Sequence, residues 1–214
     1  MGKIFAIGDI HGCISQLDRL VAQLDIDAGD DTLVFIGDYI DRGPDPKGVV
    51  DYIIDIRKSF RNVVCLSGNH EDMFLNYCLD GRDEKLYMAN GGMRTLESYR
   101  FTREGTEELI LPESHREFFA SLRTYYETDD YIFVHAGLRP GIPLDRQDRE
   151  DLLWIRFEFI NSLYAFGKTV IFGHTPFSLS KPLIDKNKIG IDTGAVYGGK
   201  LTCIELPEMK VYQA

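Results

Sequence analysis

Residues 3–12 read KIFAIGDIHG, a short apolar run that ends in glycine and passes directly into Asp9 and His11. Runs of this kind are typical of strands buried on both faces of a sheet. Gly8 and Gly12 allow the backbone to turn tightly and to approach a ligand closely. Asp9 and His11 can therefore point to the same place, although a simple turn would also contain these residue types.

Four further apolar runs end in the same way, with glycine and polar side chains directly after a predicted buried strand. They are DTLVFIGD (31–38), NVVCLSGNH (62–70), YIFVHAG (131–137) and KTVIFGH (168–174). In open α/β folds, ligands bind beyond the carboxyl ends of the strands, so we expect these five ends to meet. The side chains that would meet there are Asp9, His11, Asp38, Asn69, His70, His135 and His174.

Histidine is concentrated at these strand ends. Four of the five histidines of the chain lie there, and only His115 lies elsewhere, in a helix where we expect it on the surface. Turn preference explains one Asp or His after a strand, but it does not explain this concentration. The pattern therefore indicates a single ligand-binding centre.

The residue types of this centre predict metal binding. Carboxylate, imidazole and amide oxygen suit divalent ions such as manganese, iron and zinc. The set contains no cysteine, which argues against a structural zinc cage. A carboxylate can bridge two ions, and a pair of ions polarises phosphoryl oxygens and activates a bound water.

The remaining sequence predicts one α/β domain over residues 1–214. Helices with one apolar face are predicted at 14–26 and 46–60, between the first three strands. Further helices are expected in an insertion at about 71–122, interrupted at NGGM (90–93) and ILPESH (110–115). A hairpin is predicted around Asp129 and Asp130, and short antiparallel strands from residue 182 onward.

Composition narrows the classes of function. The formal net charge is −10, which argues against a nucleic-acid partner, because nonspecific binding needs a basic face. No apolar run approaches the ~18–20 residues that span a bilayer, and the first residues do not resemble a secretory signal. The four cysteines lack zinc-type spacing. We therefore expect a cytoplasmic protein with reduced thiols and no membrane partner.

Five motifs together carry a family resemblance. GDIHG (8–12), GDYIDRG (37–43), GNHE (68–71), VHAG (134–137) and FGHT (172–175) resemble, in order and spacing, those of the phosphoprotein phosphatase branch of the calcineurin-like metallophosphoesterases. The similarity is greatest to small bacterial and phage lambda-type serine/threonine protein phosphatases. The resemblance implies an α/β fold with two mixed sheets packed as a β-sandwich and helices outside, in four αββα layers.

The resemblance also implies two divalent metal ions and assigns their ligands by position. Asp9 and His11 would hold the first ion, and Asp38 would bridge both. Asn69 and His135 would hold the second. Sequence alone leaves His174 open between the two, and the family pattern places it with the second. Manganese is the expected metal, with iron and zinc as alternatives.

Four further residues resemble catalytic and phosphate-binding positions. His70 resembles the proton donor to the leaving oxygen, and Asp41 resembles the carboxylate that orients it. Arg42 resembles a phosphate-binding arginine. For a second such arginine, Arg156 in LLWIR is favoured over Arg139, which follows VHAGL.

The expected reaction is hydrolysis of phosphate monoesters by a metal-bridging hydroxide, with phosphoserine and phosphothreonine in proteins as the first substrates and small phosphate esters next. One alternative is a symmetrical diadenosine tetraphosphate hydrolase. Such enzymes commonly replace the aspartate that corresponds to Asp41 and carry GNHD, where this chain has Glu71. An alternative of another class is a catalytically inactive phosphate-binding module, which would be expected to have lost a metal ligand or His70.

Overall fold

The computed structural model of the chain describes residues 2–103 and 106–214, and two five-stranded β-sheets form its centre. The first sheet has the order β12-β11-β1-β2-β3. Its strands are β1 (Ile4–Ile7), β2 (Thr32–Phe35), β3 (Asn62–Cys65), β11 (Thr202–Leu206) and β12 (Lys210–Gln213). Strands β1, β2 and β3 run parallel, whereas β11 is antiparallel to both β1 and β12. The sheet is therefore mixed.

The second sheet is also mixed and has the order β6-β7-β8-β10-β9. Its strands are β6 (Tyr125–Glu127), β7 (Tyr131–Val134), β8 (Thr169–Phe172), β9 (Leu183–Ile184) and β10 (Lys188–Gly190). Strands β7, β8 and β10 run parallel, and β6 and β9 pair antiparallel at the two edges. The predicted hairpin around Asp129 and Asp130 joins β6 to β7.

Alternation of side chains along the strands creates the layers. Ala6 of β1 and Ile171 of β8 lie in one apolar cluster between the sheets. Their strand neighbours point the other way: Ile7 packs in a cluster with the helices of the first sheet, and Phe172 in a cluster with those of the second. Both faces of each sheet are covered, which confirms the predicted four-layer αββα sandwich.

Helices cover the outer faces of both sheets. They are α1 (Ile14–Val21), α2 (Pro46–Ser59), α3 (Asn69–Asp80), α4 (Glu84–Ala89), α5 (Met93–Tyr99), α6 (Glu113–Ala120), α7 (Arg149–Trp154) and α8 (Phe157–Ile160). Helix α2 begins as expected, with Pro46 in its first turn and the Asp45 carboxylate accepting the Gly48 N–H at 2.8 Å. Among the described residues, no helix is long and apolar enough to cross a membrane.

The segment 71–122 differs from the prediction in two respects. It contains a hairpin of β4 (Arg100–Arg103) and β5 (Thr106–Leu109) where only helices were expected. Residues 104 and 105 lie outside the described residues. The β-branched threonines at 102 and 106 favour strands over a helix, and this signal was missed.

His115 was predicted at the surface, and this was wrong. The ring is buried on α6, with Nδ1 2.8 Å from the Tyr99 hydroxyl and Nε2 2.9 Å from the Asp51 carboxylate. Two polar partners allow an imidazole to be buried at little cost, and they come from helices that are distant in sequence. All four cysteines are free thiols, and all but Cys78 are buried.

Candidate metal centre

The loops after β1, β2, β3, β7 and β8 meet at one edge of the sandwich, as the strand endings predicted. The seven side chains expected there are all buried, each with at most 5% of its surface exposed. They are Asp9, His11, Asp38, Asn69, His70, His135 and His174. Polar side chains buried to this extent need partners or a ligand, because their desolvation is costly.

Asp38 lies at the middle of the group. Its Oδ2 is 3.3 Å from His11 Nε2, and its Oδ1 is 3.4 Å from His135 Nε2. It belongs to two triads whose potential ligand atoms lie within 4.8 Å of one another, one with His11 and His70 and one with His135 and His174. A carboxylate with one oxygen towards each triad has the geometry needed to bridge two cations.

Hydrogen bonds fix the ring nitrogens that face this carboxylate. His11 Nδ1 donates to the Ile40 carbonyl at 2.8 Å, and His135 Nδ1 donates to the Ile36 carbonyl at 2.9 Å. With Nδ1 as the donor, Nε2 is the ring nitrogen whose lone pair can face the centre. Nε2 of His135 also faces Asn69 Oδ1 at 3.0 Å, so that several electron pairs converge there. A cation would relieve this repulsion.

Three buried side-chain atoms have no hydrogen-bond partner among the described residues, and all three belong to the centre. They are Asp9 Oδ1, His70 Nε2 and His174 Nε2. The other Asp9 oxygen accepts the His174 N–H at 2.9 Å, which holds the carboxylate in place. The unpartnered carboxylate oxygen of Asp9 and ring nitrogen of His174 fit ligands of a bound metal ion. The donor set is thus of the right type and geometry for the divalent ions expected from the sequence.

Burial determines the charge of these groups. It lowers the pKa of His135 and of His174, to about 2 for His174, and so favours the neutral rings that bind metals. Burial also lowers the pKa of His70, but Asp38 and the hydrogen bond to Asp41 oppose this shift and favour the protonated ring. Burial, together with Asp192, raises the pKa of Asp9. Burial also opposes ionisation of Asp38, but the three surrounding histidines outweigh it and hold the pKa of Asp38 well below its usual range.

His70 and Asp41 form a buried pair at the side of the centre. Nδ1 of His70 donates to Asp41 Oδ2 at 2.6 Å. The opposite nitrogen, Nε2, faces the centre and lies 4.0 Å from Asp38 Oδ2. The pair thus has the arrangement of a carboxylate that orients an imidazole, with one nitrogen free for chemistry.

Two of the three candidate arginines lie at the centre. Arg42 Nη1 donates to His11 Nε2 at 2.7 Å, a contact that a cation on His11 would displace, and its guanidinium lies 5.6 Å from the Tyr197 ring centroid. Arg156 Nη1 donates to the His174 carbonyl at 2.9 Å and to Thr175 Oγ1 at 3.0 Å. Arg139 instead forms a forked ion pair with Asp151 at the surface.

Glu71 has a part in the site that the sequence reasoning missed. Its Oε1 accepts the Tyr39 N–H at 2.8 Å, and its Oε2 accepts the N–H groups of Asp38 at 2.9 Å and Gly68 at 2.8 Å. It thereby ties the loop after β2 to the start of α3. The signal was a glutamate three residues after the N-cap position, the spacing of a capping box.

Asp192 was also missed. It follows β10, is buried, and accepts the Gly194 N–H at 2.9 Å on Oδ1. Its carboxylate is near enough to Asp9 to raise the pKa of Asp9. The sequence IDTG looks like a simple turn, and its approach to the first strand depends on the packing of the two sheets.

The backbone is in the left-handed region at many positions of the centre. Of the seven non-glycine residues with positive φ among those described, five belong to it: His11 (45°), Asp38 (53°), Asp41 (69°), Arg42 (66°) and His174 (62°). This conformation is unfavourable for residues with a Cβ and persists where surrounding structure imposes it.

Two glycines allow neighbouring loops to touch. A Cβ at Gly68 would collide with Asp38 Oδ1, and a Cβ at Gly173 would collide with Asp9 Oδ1. Each glycine precedes a predicted ligand of its own loop, namely Asn69 and His174. The absence of a side chain at these positions therefore sets the spacing between ligands from different loops.

Comparisons with known proteins agree with this geometry. The sequence profile of the family described as "Calcineurin-like phosphoesterase" matches residues 2–199. The chain is 32% identical to serine/threonine-protein phosphatase 1 of Salmonella typhimurium, over 93% of this chain and 89% of that protein. It is 28% identical to an asymmetrical bis(5'-nucleosyl)-tetraphosphatase of a Geobacillus species, over 97% of this chain and 92% of that protein.

A solved structure described provisionally as a diadenosine tetraphosphatase superposes with a TM-score of 0.76 at 25% identity, covering 100% of this chain and 93% of the other. The similarity thus extends over nearly the whole length and includes phosphatases of two kinds. The chain belongs to the calcineurin-like phosphoesterases, as its five motifs predict, and it resembles the phosphoprotein phosphatase branch of that family.

Proposed function

We propose that this phosphoesterase hydrolyses phosphate monoesters that have an alcohol as leaving group, with phosphoserine and phosphothreonine in proteins as its first substrates. The His70–Asp41 pair supports this proposal, because a buried carboxylate orients the imidazole and leaves its Nε2 facing the centre, where it would donate a proton. A serine or threonine alkoxide is a poor leaving group and needs a proton as the P–O bond breaks. A general acid is typically worth about 10²–10⁴-fold in rate.

The metal ligands are assigned from their positions around Asp38. Asp9, His11 and Asp38 would hold one divalent ion. Asp38, Asn69, His135 and His174 would hold the other, since His135 and His174 form one triad with Asp38. Two such ions, for which we propose Mn²⁺, supply Lewis-acid polarisation of the phosphoryl group and activation of water.

The chain's own residues would then bind, orient and protonate the substrate. Arg42 and Arg156 present planar guanidinium groups that match phosphoryl oxygens, and both lie beside predicted metal ligands. Arg139 is already paired with Asp151 and is not proposed for this role. His70 would act in its imidazolium form, with Nδ1–H donating to Asp41 and the Nε2 proton passing to the leaving oxygen, which leaves the neutral ring. Asp41 would orient and stabilise this imidazolium.

Dinucleoside tetraphosphates are the second candidate substrates, because the Geobacillus relative is named for their hydrolysis. A nucleotide leaves as a phosphate anion that is already stable, so it gains little from a general acid. The His70–Asp41 pair therefore favours monoesters. An inactive phosphate-binding module is the least favoured candidate, because every predicted ligand and His70 are present at the centre.

The test compares His70→Asn with the wild-type enzyme on three substrates in Mn²⁺: a phosphoserine peptide, p-nitrophenyl phosphate and diadenosine tetraphosphate. We expect the highest wild-type kcat/KM on the peptide. The variant should lose about 10²–10⁴-fold on the peptide and much less on p-nitrophenyl phosphate, whose leaving group is a stable anion. Metal content is checked by elemental analysis.

Two results would contradict the proposal. If the wild-type kcat/KM were highest on diadenosine tetraphosphate, dinucleoside tetraphosphates would replace phosphate monoesters as the proposed substrates. Equal losses on the peptide and the aryl phosphate, with both metals retained, would remove the proton-donor role of His70.

A further inference from the structure

We propose that Thr95 and Tyr87, on helices α5 and α4, are positioning residues that hold the Asp41 carboxylate in line with His70. This inference rests on the proposed function, since it assigns the two residues to proton donation by His70. Both helices lie in the segment 71–122, in which no catalytic residue was predicted from the sequence. The proposal makes this insertion part of the catalytic machinery.

The two oxygens of Asp41 have separate partners. Oδ2 accepts from His70 Nδ1 at 2.6 Å. Oδ1 accepts from the Thr95 hydroxyl at 2.5 Å and from the Tyr87 hydroxyl at 3.0 Å. Because both donors are on Oδ1, rotation of the carboxylate away from His70 would break both of these hydrogen bonds.

Thr95 also holds the backbone of Asp41. Its Oγ1 accepts the Asp41 N–H at 2.9 Å, so the same hydroxyl fixes both the main chain and the side chain. Asp41 has a φ of 69°, a left-handed conformation that a residue with a Cβ does not adopt unaided. A hydrogen bond at this amide helps to impose it.

Burial shields the hydrogen bonds of Asp41 from water and restricts the motion of its partners. Asp41, Thr95 and Tyr87 have no exposed surface. The Tyr87 ring packs against the rings of Phe74 at 6.0 Å and Tyr77 at 5.5 Å. Burial, and then the nearby Asp41 carboxylate, raise the pKa of Tyr87, so its hydroxyl remains protonated and donates.

The expected consequence concerns orientation. A displacement of about 1 Å in a catalytic group can cost on the order of 10²-fold in rate. If Asp41 turns, His70 Nε2 no longer points at the leaving oxygen. The side-chain hydrogen bonds of Asp41 within the described part of the chain go to His70, Thr95 and Tyr87, so the metal ligands should remain in place. The loss should therefore appear on substrates that need the proton.

The experiment measures kcat and KM of Thr95→Val and Tyr87→Phe on the phosphoserine peptide and on p-nitrophenyl phosphate. We expect each variant to lower kcat on the peptide by about 10- to 100-fold and on the aryl phosphate by much less, with KM and metal content nearly unchanged. Thr95→Ser, which keeps the hydroxyl, should recover most of the activity on the peptide.

A matched control is available on α5. The Tyr99 hydroxyl is also buried, but its partner is His115 and not Asp41. Tyr99→Phe should leave the ratio of the two substrate activities at the wild-type value. If Thr95→Val fails to fold, Tyr87→Phe, which keeps the ring, decides the question.

A double mutant separates this proposal from the function on which it rests. In a His70→Asn background, Thr95→Val and Tyr87→Phe should cost almost nothing further on the peptide, because they act through His70. The same loss in both backgrounds, or equal losses on the two substrates, would overturn the positioning role. If His70→Asn itself shows equal losses, the proton-donor function has failed, which is a separate outcome.

Discussion

Arg42 shows how a single residue at this centre combines an unfavourable backbone with a useful side chain. Its φ is 66°, and its guanidinium contacts His11 and faces the Tyr197 ring. The left-handed conformation costs a residue with a Cβ roughly 1–2 kcal/mol. The unfavourable backbone conformation of Arg42 thus accompanies the placement of its guanidinium beside His11.

Replacing Arg42 by alanine and by glycine should separate the two effects. Both changes should lower turnover and raise the inhibition constant for inorganic phosphate, because both remove the guanidinium. Glycine avoids the cost of the left-handed backbone, but its greater conformational freedom in the unfolded chain offsets part of this stabilisation. Arg42→Gly should therefore have a free energy of unfolding about 0.5–1 kcal/mol higher than that of Arg42→Ala. Urea denaturation measures the difference.

Arg139→Ala is the matched control, because this arginine is paired with Asp151 at the surface. It should leave inhibition by phosphate unchanged. The assignment of Arg156 as the second phosphate arginine would be wrong if Arg139→Ala weakened phosphate binding and Arg156→Ala did not. Equal stability of Arg42→Gly and Arg42→Ala would show that the backbone of Arg42 carries no strain.

At this scale the sequence predicted which residues meet but not how they are held. Asp9, His11 and Asp38 were found because chemistry-bearing residues recur after buried strands. Glu71 accepts the backbone N–H of Asp38, and the Thr95 hydroxyl forms hydrogen bonds with the amide and the carboxylate of Asp41. These contacts form only in the folded chain. Apart from the capping-box spacing at Glu71, the sequence around these residues shows no motif that would predict these contacts.

Helix α3 is the element that organises the centre. Its first turn supplies Asn69 and His70, and Glu71 in the same turn accepts backbone N–H groups from the loop after β2. Burial, and then the nearby Asp38, raise the pKa of Glu71 to about 8, while the amides that it accepts oppose this rise. One helical turn thus connects two of the five strand ends.

Glu71→Gln should loosen this connection. Above the pKa of Glu71, each of its carboxylate oxygens accepts two N–H groups, so the amide of glutamine would place a donor against donors whichever way it turned. An unsatisfied buried N–H costs about 1–3 kcal/mol, so we expect the free energy of unfolding to fall by at least that amount. Metal retention after dialysis should fall as well.

Glu113→Gln provides the comparison. This glutamate is also in the first turn of a helix, but it is exposed and lies 3.7 Å from Arg116. Denaturation and elemental analysis of both variants would be compared with the wild type. If Glu71→Gln were as stable and as metal-rich as Glu113→Gln, the role given to Glu71 would be incorrect.

The elements themselves were predicted unevenly. The strands and α1 and α2 follow from apolar runs and periodicity, which depend on local sequence. The hairpin β4–β5 and the burial of His115 were not predicted, because the first is short and polar and the second depends on Tyr99 and Asp51 from other helices.

For the molecule as a whole, the centre places like charges in the interior of a chain that is already acidic. The formal net charge is −10, and Asp9, Asp38 and Asp192 are buried close together. Divalent cations would compensate these carboxylates. Metal should therefore contribute to the stability of the whole fold as well as to the reaction.

Removal of metal by a chelator should abolish turnover and lower the thermal midpoint of unfolding. Mn²⁺ should restore both, and better than Mg²⁺, which disfavours imidazole ligands. A site that is saturated about 100-fold above its Kd contributes about 2.7 kcal/mol. Asp38→Asn should bind less of both ions and show a smaller midpoint shift, as measured by calorimetry and elemental analysis.

Asp31→Asn tests whether any buried carboxylate would behave in this way. Asp31 is buried just before β2 and accepts the N–H groups of Lys3 and Asp27, at 2.7 and 2.9 Å. This variant should be less stable and yet respond fully to Mn²⁺. Full activity of the wild-type protein after verified removal of metal would refute the two-metal assignment.

The close approach at Gly68 and Gly173 bears on how this centre could be transplanted into another scaffold. A designer who copied only the ligand side chains onto five loops would have loops held apart by their own Cβ atoms. The graft must also reproduce the close contact between each glycine and an aspartate of another loop, which is Asp38 for Gly68 and Asp9 for Gly173. A transplanted site therefore needs the same distances between the loop backbones as well as the same ligand side chains.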